Sequence, residues 1–338
     1  MMIRRNPGTA TLLDVAREAG VSLKTASRVL GGEPYVSEKT AALVRDAMAR
    51  LGYQPNELAR GLKARRSVAI GMVVPNVSDP FTANAVRAVQ EVARANGHIV
   101  ILACSGLDCE IERSEVQSLV GRQIDGLVIS PADNRRDNVS GIVPPGLHVV
   151  TYDKPIDGAD FDLVTIPNRR SAKEAVQHLL GHGYKRIVAI GARPALYTGS
   201  ERFAGYNEAM KKAGLESRAC PVEDENMITP EWISQTVLKR NRADAIICLN
   251  FLSTMRTMRA MGQIGGKLGE DIPFLAFDDF YLADMMTPRL SVVRQPAEAF
   301  GAQAARLLFE RIRGTAGEKR RSVTLPTELI LRESCGCT

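Results

Sequence analysis

The stretch TLLDVAREAGVSLKTASRVL, residues 11–30, decides the fold of the N-terminal region. Thr11 and Ser22 each precede a helix-compatible run, and a hydroxyl at such a position satisfies free backbone amides at the helix start. Gly20 ends the first run, so the sequence predicts two short helices that are joined by a tight turn. This arrangement is typical of a helix-turn-helix, whose second helix lies in the major groove of DNA.

A third helix is predicted from the capping residue Ser37 to about Leu51, where Gly52 ends it. Apolar residues recur at spacings of three and four along the three helices, which is the pattern of a buried helical face. The residues of this pattern are Val15, Ala16, Ala19, Ala26, Val29, Leu30, Leu43, Val44, Ala47 and Leu51. We therefore expect a small three-helix core.

The second helix carries side chains of the kind that contact DNA. Lys24 and Arg28 can donate to guanine acceptors, and Leu23 can contact a thymine methyl group. Thr25 and Ser27 suit phosphate oxygens. Taken alone, these residues also fit an ordinary helical bundle with a solvated basic face.

The net charge of +6 lies entirely in this region. Residues 1–66 carry twelve Lys or Arg and six Asp or Glu, whereas the rest of the 338 residues carry 32 of each. A small basic module on a neutral body indicates a polyanionic partner for the module and a different role for the body.

Several segments strongly resemble the DNA-binding headpiece of the lactose and purine repressor family, and the similarity continues through the whole chain. They are residues 11–22, TASRVL at 25–30, Val36-Ser37 and LGYQPN at 51–56. The resemblance implies base contacts by Leu23, Lys24 and Arg28. Gly31 departs from the Asn that is common in the family. The implied contacts with the DNA backbone come from Thr11, Ser22, Thr25, Ser27, Ser37, Tyr53 and Asn56.

Residues 56–66 form a linker that is compatible with barely two turns of helix and contains Gly61. So short a helix is marginal alone and forms only when it is packed or bound. The resemblance implies that this linker folds on operator DNA, with Leu62 inserted into the minor groove and Ala59 and Lys63 beside it. An apolar wedge of this kind kinks the duplex. The alternative is a flexible basic tether whose Leu62 packs on the core.

After Ser67, buried strands alternate with amphipathic helices, which is typical of parallel α/β sheets. The run VVTYD at 149–153 matches FLAFD at 274–278, and DGLVI at 125–129 matches DAIIC at 244–248. This duplication predicts two similar lobes with a cleft between them, an α/β periplasmic-binding-protein-like core. We expect an all-α headpiece at 1–55, a hinge at 56–66 and a core at 67–338. Its lobes would comprise 67–166 with 296–325, and 167–295 with 326–338.

Polar residues just beyond the strands are expected to line the ligand crevice. Asp79, Asp153, Asn250 and Asp278 occupy such ends, joined by Arg202 and Gln295. Any one of these acids also fits a helix cap or a turn. The resemblance implies effector contacts by Phe81, Asp153, Thr198, Arg202, Asn250, Asp278 and Gln295.

Two aromatic residues affect this expected pocket. The family usually has Asp after its equivalent of Asn250, whereas Phe251 follows here, which points to a more apolar or rearranged second lobe. Trp232 reaches the pocket or, as is more common for a lone helical Trp, belongs to the core. Carboxylates with one Arg and aromatic residues favour a sugar or polyol over a dicarboxylate.

Other function classes find little support. No phosphate-binding loop or Gly-x-Ser-x-Gly elbow is present, so we expect neither an enzyme nor a cofactor. His178 and His182 stand four apart without the glutamate of a zinc protease, and Cys335-Gly336-Cys337 is the only close cysteine pair. We interpret these as a helix end and tail thiols, with no metal site.

The chain lacks a signal peptide and an apolar run of about 18 residues, so we expect a cytoplasmic protein without a membrane partner. The sequence thus predicts a ligand-responsive repressor that binds double-stranded, palindromic operator DNA. Two-fold symmetry and the absence of a heptad tail favour a homodimer. A sugar-binding protein of the same bilobal fold without a regulatory role is the alternative.

Overall fold

A computed structural model describes residues 10–31, 35–53, 68–134, 139–191 and 194–337. The chain divides into two compact units, residues 1–67 and residues 68–338. Within the described ranges, no helix combines the length and the apolar character that crossing a membrane requires. The hinge residues of the sequence prediction, Asn56, Ala59, Leu62 and Lys63, lie outside the described residues.

The first unit contains the three expected helices, α1 (Leu12–Glu18), α2 (Leu23–Gly31) and α3 (Glu38–Leu51). Thr11 and Asp14 form a reciprocal capping box at the start of α1. Ser37 caps α3, and Gly52 ends it in the left-handed conformation (φ 59°) that glycine adopts without strain. Local sequence chemistry therefore sets the bounds of these helices.

The core of this unit is smaller than the sequence predicted. Val15, Ala16, Ala26, Val44 and Ala47 form its buried cluster, Ala19 and Val29 pack against them, and Ala41 is buried outside the cluster. The expectation that Leu43 and Leu51 are buried is wrong, because their exposed fractions are 48% and 36%. The apolar periodicity correctly places both residues on α3, but α1 and α2 are too short to cover the whole apolar stripe of α3.

The second unit is built on two sheets, one for each of the lobes that the sequence predicted, and each sheet has six strands. The strands are β1 (Ala69–Val74), β2 (Ile99–Cys104), β3 (Gly126–Ile129), β4 (His148–Tyr152), β5 (Asp162–Thr165), β6 (Ile187–Gly191), β7 (Arg218–Pro221), β8 (Ala245–Cys248), β9 (Phe274–Phe277), β10 (Ser291–Arg294), β11 (Ser322–Thr324) and β12 (Glu328–Ile330). The first sheet has the order β11-β5-β4-β3-β1-β2 and is parallel throughout. The second has the order β12-β10-β9-β8-β6-β7, in which only β12 runs antiparallel to its neighbour.

Helices cover the faces of the sheets, and buried Val, Ile, Leu and Phe side chains fill the space between them. The α-helices of this unit are α4 (Pro80–Ala95), α5 (Cys109–Gly121), α6 (Asn168–Gly181), α7 (Tyr197–Lys212), α8 (Pro230–Trp232), α9 (Phe251–Gln263) and α10 (Ala297–Ile312). Between α8 and α9 the chain forms a π-helix, Ile233–Arg240. We call the first sheet with α4, α5 and α10 the first lobe, and the second sheet with α6 to α9 the second lobe.

Both sheets follow the same winding order. In each, the first strand of the lobe lies between the second and the third, so the winding reverses at β1 and β3 and again at β6 and β8. In doubly wound sheets, ligands bind beyond the carboxyl ends of the strands at this reversal point. The chain passes between the lobes after β5, β10 and β11. The topology therefore provides one candidate ligand edge in each lobe.

Candidate DNA-binding face and effector cleft

Helix α2 presents the side chains that the sequence assigned to base contacts. Leu23 is 48% exposed, Lys24 is exposed, and Arg28 is half-buried. The apolar side of the helix faces inward, where Ala26 is completely buried. The amphipathic division thus leaves an exposed apolar group and an ammonium on the outer face of the turn-linked helix.

The predicted backbone-contact residues are largely engaged in holding the helix starts. Ser22 Oγ accepts a hydrogen bond from Thr25 N at 3.1 Å, and Ser37 Oγ accepts one from Thr40 N at 3.2 Å. Thr11 Oγ1 donates to Asp14 Oδ2 at 2.6 Å. Tyr53 packs against the headpiece core. These hydroxyls order the helix N-termini, whose free amides are themselves suited to phosphate oxygens.

In the second unit, Arg202 of α7 is the most firmly held cation of the predicted site. It is only 4% exposed, and its Nε donates to Asn168 Oδ1 at 2.8 Å. Its Nη1 donates to the Leu249 carbonyl oxygen at 2.7 Å, and its guanidinium lies 4.2 Å from the ring centroid of Phe277. Arg202 is thus fixed by α6, by the end of β8 and by the end of β9.

Asp153 and Asp278 occupy equivalent places, immediately after β4 in the first lobe and after β9 in the second. Both have left-handed backbone conformations, with φ of 68° and 74°. For a non-glycine residue this conformation is strained and is found preferentially at functional sites. The duplicated sequence runs therefore end in duplicated, strained aspartates.

The carboxylates of both lobes influence one another. Burial, together with the negative charges of Asp278 and Asp153, raises the pKa of Asp79 to about 7. Burial also raises the pKa of Asp153, which Lys154 and Arg202 oppose. Three acidic groups therefore share a poorly solvated region with one buried Arg.

Several polar atoms at this place are already satisfied within the protein. Asp278 Oδ1 accepts from Gln295 Nε2 at 2.5 Å, and its Oδ2 accepts from Phe251 N at 3.2 Å. Asp79 caps α4 by accepting from Phe81 N at 2.8 Å. By contrast, Gln295 Oε1 and Tyr152 Oη are buried without a hydrogen-bond partner among the described residues. Such orphaned groups suit a ligand that brings its own donors and acceptors.

An open pocket of about 640 Å³ adjoins this acidic region. Its walls include Phe81 and Pro80 from the first lobe, Phe280 from the second, and Asp278 and Gln295. This volume is within the range of small-molecule sites. Asp79, Asp153, Thr198, Arg202 and Asn250 are not part of its lining. Three predicted residues, Phe81, Asp278 and Gln295, therefore line the pocket. Asp79, Asp153 and Arg202 do not line it.

Asn250 and Thr198 do not line the pocket. Asn250 Oδ1 caps α9 by accepting from Ser253 N at 2.8 Å, and its Nδ2 donates to Glu225 Oε1 at 3.0 Å. Thr198 is half-buried in the first turn of α7. Trp232 packs against the core of the second lobe.

Phe251 gives the second lobe an apolar surface beside Phe280, which lines the pocket. Its ring packs edge-to-face on Phe280 at a centroid distance of 5.4 Å. The sequence reasoning did not identify three supporting residues, Tyr152, Asn168 and Phe277. For two of them a signal existed, because Tyr152 and Phe277 precede the two duplicated aspartates. Nothing local marked Asn168 as the partner of Arg202.

Comparisons with known proteins agree with this organisation. Residues 11–56 match the model of the bacterial regulatory proteins of the lacI family, and residues 176–335 match a periplasmic binding protein-like domain. The chain is 27% identical to the HTH-type transcriptional repressor PurR of Pasteurella multocida, over 96% of this chain and 98% of that protein. It is similar to the transcriptional regulator CelR in complex with cellobiose, with a TM-score of 0.69, 28% identity and coverage of 96% and 99%.

The chain is also 30% identical to the probable HTH-type transcriptional regulator EndR of Paenibacillus polymyxa, over 89% of this chain and 90% of that protein. These matches span the helix-turn-helix unit and both lobes, and they confirm the predicted fold class. The chain belongs to the lacI family of bacterial regulatory proteins.

Proposed function

We propose that this protein is a transcriptional repressor that binds an inverted-repeat operator as a homodimer and whose DNA affinity changes when a sugar or polyol occupies the cleft between the lobes. One observation carries the proposal. A helix-turn-helix unit shares its chain with two lobes that bring Asp79, Asp153 and Asp278 together with Arg202 at the strand ends.

The charges of the cleft favour hydroxyl-rich ligands. Carboxylates accept hydrogen bonds from hydroxyl groups, and a guanidinium donates to hydroxyl or carbonyl oxygens. Three acidic groups beside Arg202 and Lys154 leave no excess of positive charge to bind a dicarboxylate. Phe81 and Phe280 offer apolar walls against which the face of a sugar ring packs. The relative CelR is described in complex with cellobiose, a disaccharide.

Dimerisation follows from the size of the DNA-binding unit. One short recognition helix makes few base contacts, whereas two copies related by two-fold symmetry read the two halves of a palindrome.

We propose residues 1–55 as the DNA-binding headpiece, 56–66 as the hinge and 67–338 as the effector-binding and dimerisation region. The protein would act in the cytoplasm, where such DNA is accessible.

A ligand that closes the lobes changes the spacing of the two hinges and thereby the DNA affinity. Couplings of this kind typically amount to about 1–3 kcal/mol, or roughly 5- to 150-fold in affinity. The coupling is reciprocal, so operator DNA changes the affinity for the effector by the same factor.

Selection of bound duplexes from a random DNA pool by the purified full-length protein tests the DNA half of the proposal. We expect enrichment of a palindrome with a fixed half-site spacing. Enrichment of a single, asymmetric half-site would contradict the dimeric reading. If nothing is enriched both with and without the sugar panel described next, the repressor proposal is wrong.

A thermal unfolding screen tests the effector half. The panel consists of cellobiose, ribose, other mono- and disaccharides and linear polyols, with succinate as a dicarboxylate contrast. A ligand at 100 times its Kd stabilises the folded state by about 2.7 kcal/mol, which raises Tm measurably. Stabilisation by succinate and by no sugar or polyol would overturn the ligand class.

A further inference from the structure

The C-terminal end of helix α6 and the C-terminal segment of the chain bring two histidines and two cysteines together. His178 lies in α6, and His182 follows its end. Their spacing of four places both rings on one face of the helix. Cys335 and Cys337 come from the segment that follows β12. In the sequence the histidine pair and the cysteine pair show no connection, because some 150 residues of chain separate them.

The donor atoms of the four side chains lie within 4.8 Å of one another. His178 Nε2 is 3.2 Å from Cys335 Sγ and 3.6 Å from Cys337 Sγ. His182 Nε2 is 3.4 Å from Cys337 Sγ, and the two sulfur atoms are 3.5 Å apart. Two nitrogen and two sulfur donors therefore surround one point.

These separations are those of a tetrahedral zinc site. Zinc bonds of about 2.0–2.1 Å to nitrogen and 2.3 Å to sulfur, arranged tetrahedrally, separate the donor atoms by roughly 3.3–3.8 Å. The distances of 3.4, 3.5 and 3.6 Å fall in this range, and the His178–Cys335 distance of 3.2 Å lies just below it; the other two donor pairs lie within 4.8 Å. The sulfur atoms are far beyond the roughly 2.05 Å of a disulfide.

The surrounding structure holds the cysteines in place. Ser334 Oγ donates to the Phe274 carbonyl at 2.6 Å and accepts from Ser291 N at 2.8 Å, which ties the segment to β9 and β10. Ser291 Oγ donates to Cys335 Sγ at 3.1 Å, so β10 also contacts the sulfur atom itself. Cys335 itself is completely buried.

Gly336 lets both thiols turn to the same side. Its φ of 94° is one that other residues adopt only with strain, and a Cβ atom there would overlap the Tyr184 hydroxyl oxygen. Helix α6 also directs the negative end of its dipole at the cluster, which favours a cation. His182 is exposed and Cys337 is half-buried, so an ion can enter from solvent.

We propose that His178, His182, Cys335 and Cys337 bind a zinc ion that fastens the C-terminal segment to helix α6. Four protein ligands complete the tetrahedron and leave no open position, so the site is structural and not catalytic. Two His and two Cys ligands with tetrahedral spacing favour zinc over calcium, magnesium or manganese.

Metal analysis of the full-length protein, purified under reducing conditions, tests this proposal. We expect one zinc per chain and, after removal of zinc and addition of Co²⁺, the visible absorption and sulfur-to-metal charge transfer of a tetrahedral cobalt–thiolate site. Titration against a chromophoric chelator then gives the zinc affinity. Protein without stoichiometric zinc that also gives no tetrahedral cobalt spectrum would overturn the proposal.

Two variants locate the ion. Cys337→Ser and His182→Asn alter accessible ligands, and each should weaken zinc binding by at least about 100-fold, since loss of a second-shell partner alone costs 10- to 100-fold. Cys104→Ser removes an exposed thiol elsewhere and should bind zinc like the parent. Circular dichroism verifies that each variant is folded.

The same variants distinguish a bound ion from two other states. Chelator should lower the Tm of the parent and of Cys104→Ser but not that of Cys337→Ser. Equal zinc content in the parent and Cys337→Ser would mean adventitious binding, which contradicts the proposal. No zinc in the reduced protein, together with a mass two daltons below that of the reduced chain in parent but not Cys337→Ser protein purified without reductant, would identify a disulfide at Cys337 and also contradict it.

Discussion

Single side chains account for the unusual electrostatics of the cleft. Asp79 serves as the N-cap of α4 and also faces the charges of Asp278 and Asp153. The cap hydrogen bond lowers its pKa, but burial and the like charges outweigh it, and the pKa rises to about 7. A residue that local sequence places as a helix cap thus acquires its raised pKa first from burial and then from charges that include an aspartate of the opposite lobe.

The folded-state pKa of Asp79 makes the stability of the protein depend on pH. Because it is raised above the unfolded value of 3.8, the unfolded state releases its proton first as pH rises. The resulting loss of stability begins near pH 4 and levels off above about pH 7. Asp79→Asn retains the cap and removes this loss, so we expect the variant to be more stable than the parent at pH 8 by about 1–3 kcal/mol.

Urea unfolding of Asp79→Asn and the parent at pH 5, 6, 7 and 8 measures this difference, which should shrink towards pH 5. Asp108→Asn makes the same chemical change at the exposed N-cap of α5 and serves as the control. A stability difference that is the same at every pH would contradict the assignment.

Base reading by α2 also depends on single side chains. We expect Lys24→Ala or Arg28→Ala to relax the preference at one defined half-site position by about 1–3 kcal/mol. Binding to operator duplexes that differ at single positions measures the effect at constant salt. Arg45→Ala, which removes an exposed α3 guanidinium paired with Glu38, is the charge control. Uniform weakening on every duplex would identify phosphate contacts instead.

At the scale of elements, small residues set how closely the paired helices approach. Gly301 of α10 lies against the backbone of Ala85 in α4, and Gly205 of α7 lies against Arg169 in α6. In each case a Cβ atom would overlap a carbonyl oxygen of the facing helix. Each lobe therefore uses one glycine to bring two helices together. Helix packing therefore explains the glycine at position 205, three residues after Arg202.

Gly301→Ala should separate α10 from α4 and destabilise the first lobe by about 1–3 kcal/mol, the usual cost of overpacking. Gly262→Ala is the matched control, because this glycine lies in α9 with nothing within 4 Å of the added methyl group. In a helix, that change is expected to stabilise by roughly 0.5–1 kcal/mol. Chemical unfolding of both variants checks the opposite signs; two equal effects would contradict the close-approach argument.

At the scale of the whole molecule, the two functions are assigned to separate units. Arg202 bonds to Asn168 and to the Leu249 carbonyl, so it connects α6 with the strand ends of the second lobe. The helix-turn-helix residues form their own core. A change at Arg202 is therefore expected to affect ligand response without affecting operator affinity in the absence of ligand.

Arg202→Ala should abolish the response to the sugar or polyol found by the unfolding screen, while operator binding without ligand stays within about twofold of the parent. Arg259→Ala, at an exposed position on α9, should respond normally. Operator binding with and without that ligand is the measurement. A persistent response in Arg202→Ala would mean that the ligand binds elsewhere.

The sequence by itself determined the helices of the headpiece, the strand and helix alternation and the duplication. These features are local, because caps, glycine stops and apolar spacing act within a few residues of the chain. The duplicated runs even located Asp153 and Asp278, and the structure gives both the same left-handed backbone.

Only the tertiary structure decided which distant residues meet. The exposure of Leu43, the capture of Arg202 by Asn168 and the His178–Cys335 contact depend on how segments far apart in sequence pack. The raised pKa of Asp79 likewise arises from burial and from an aspartate of the other lobe. Local patterns do not encode such contacts, because the residues that meet are far apart along the chain.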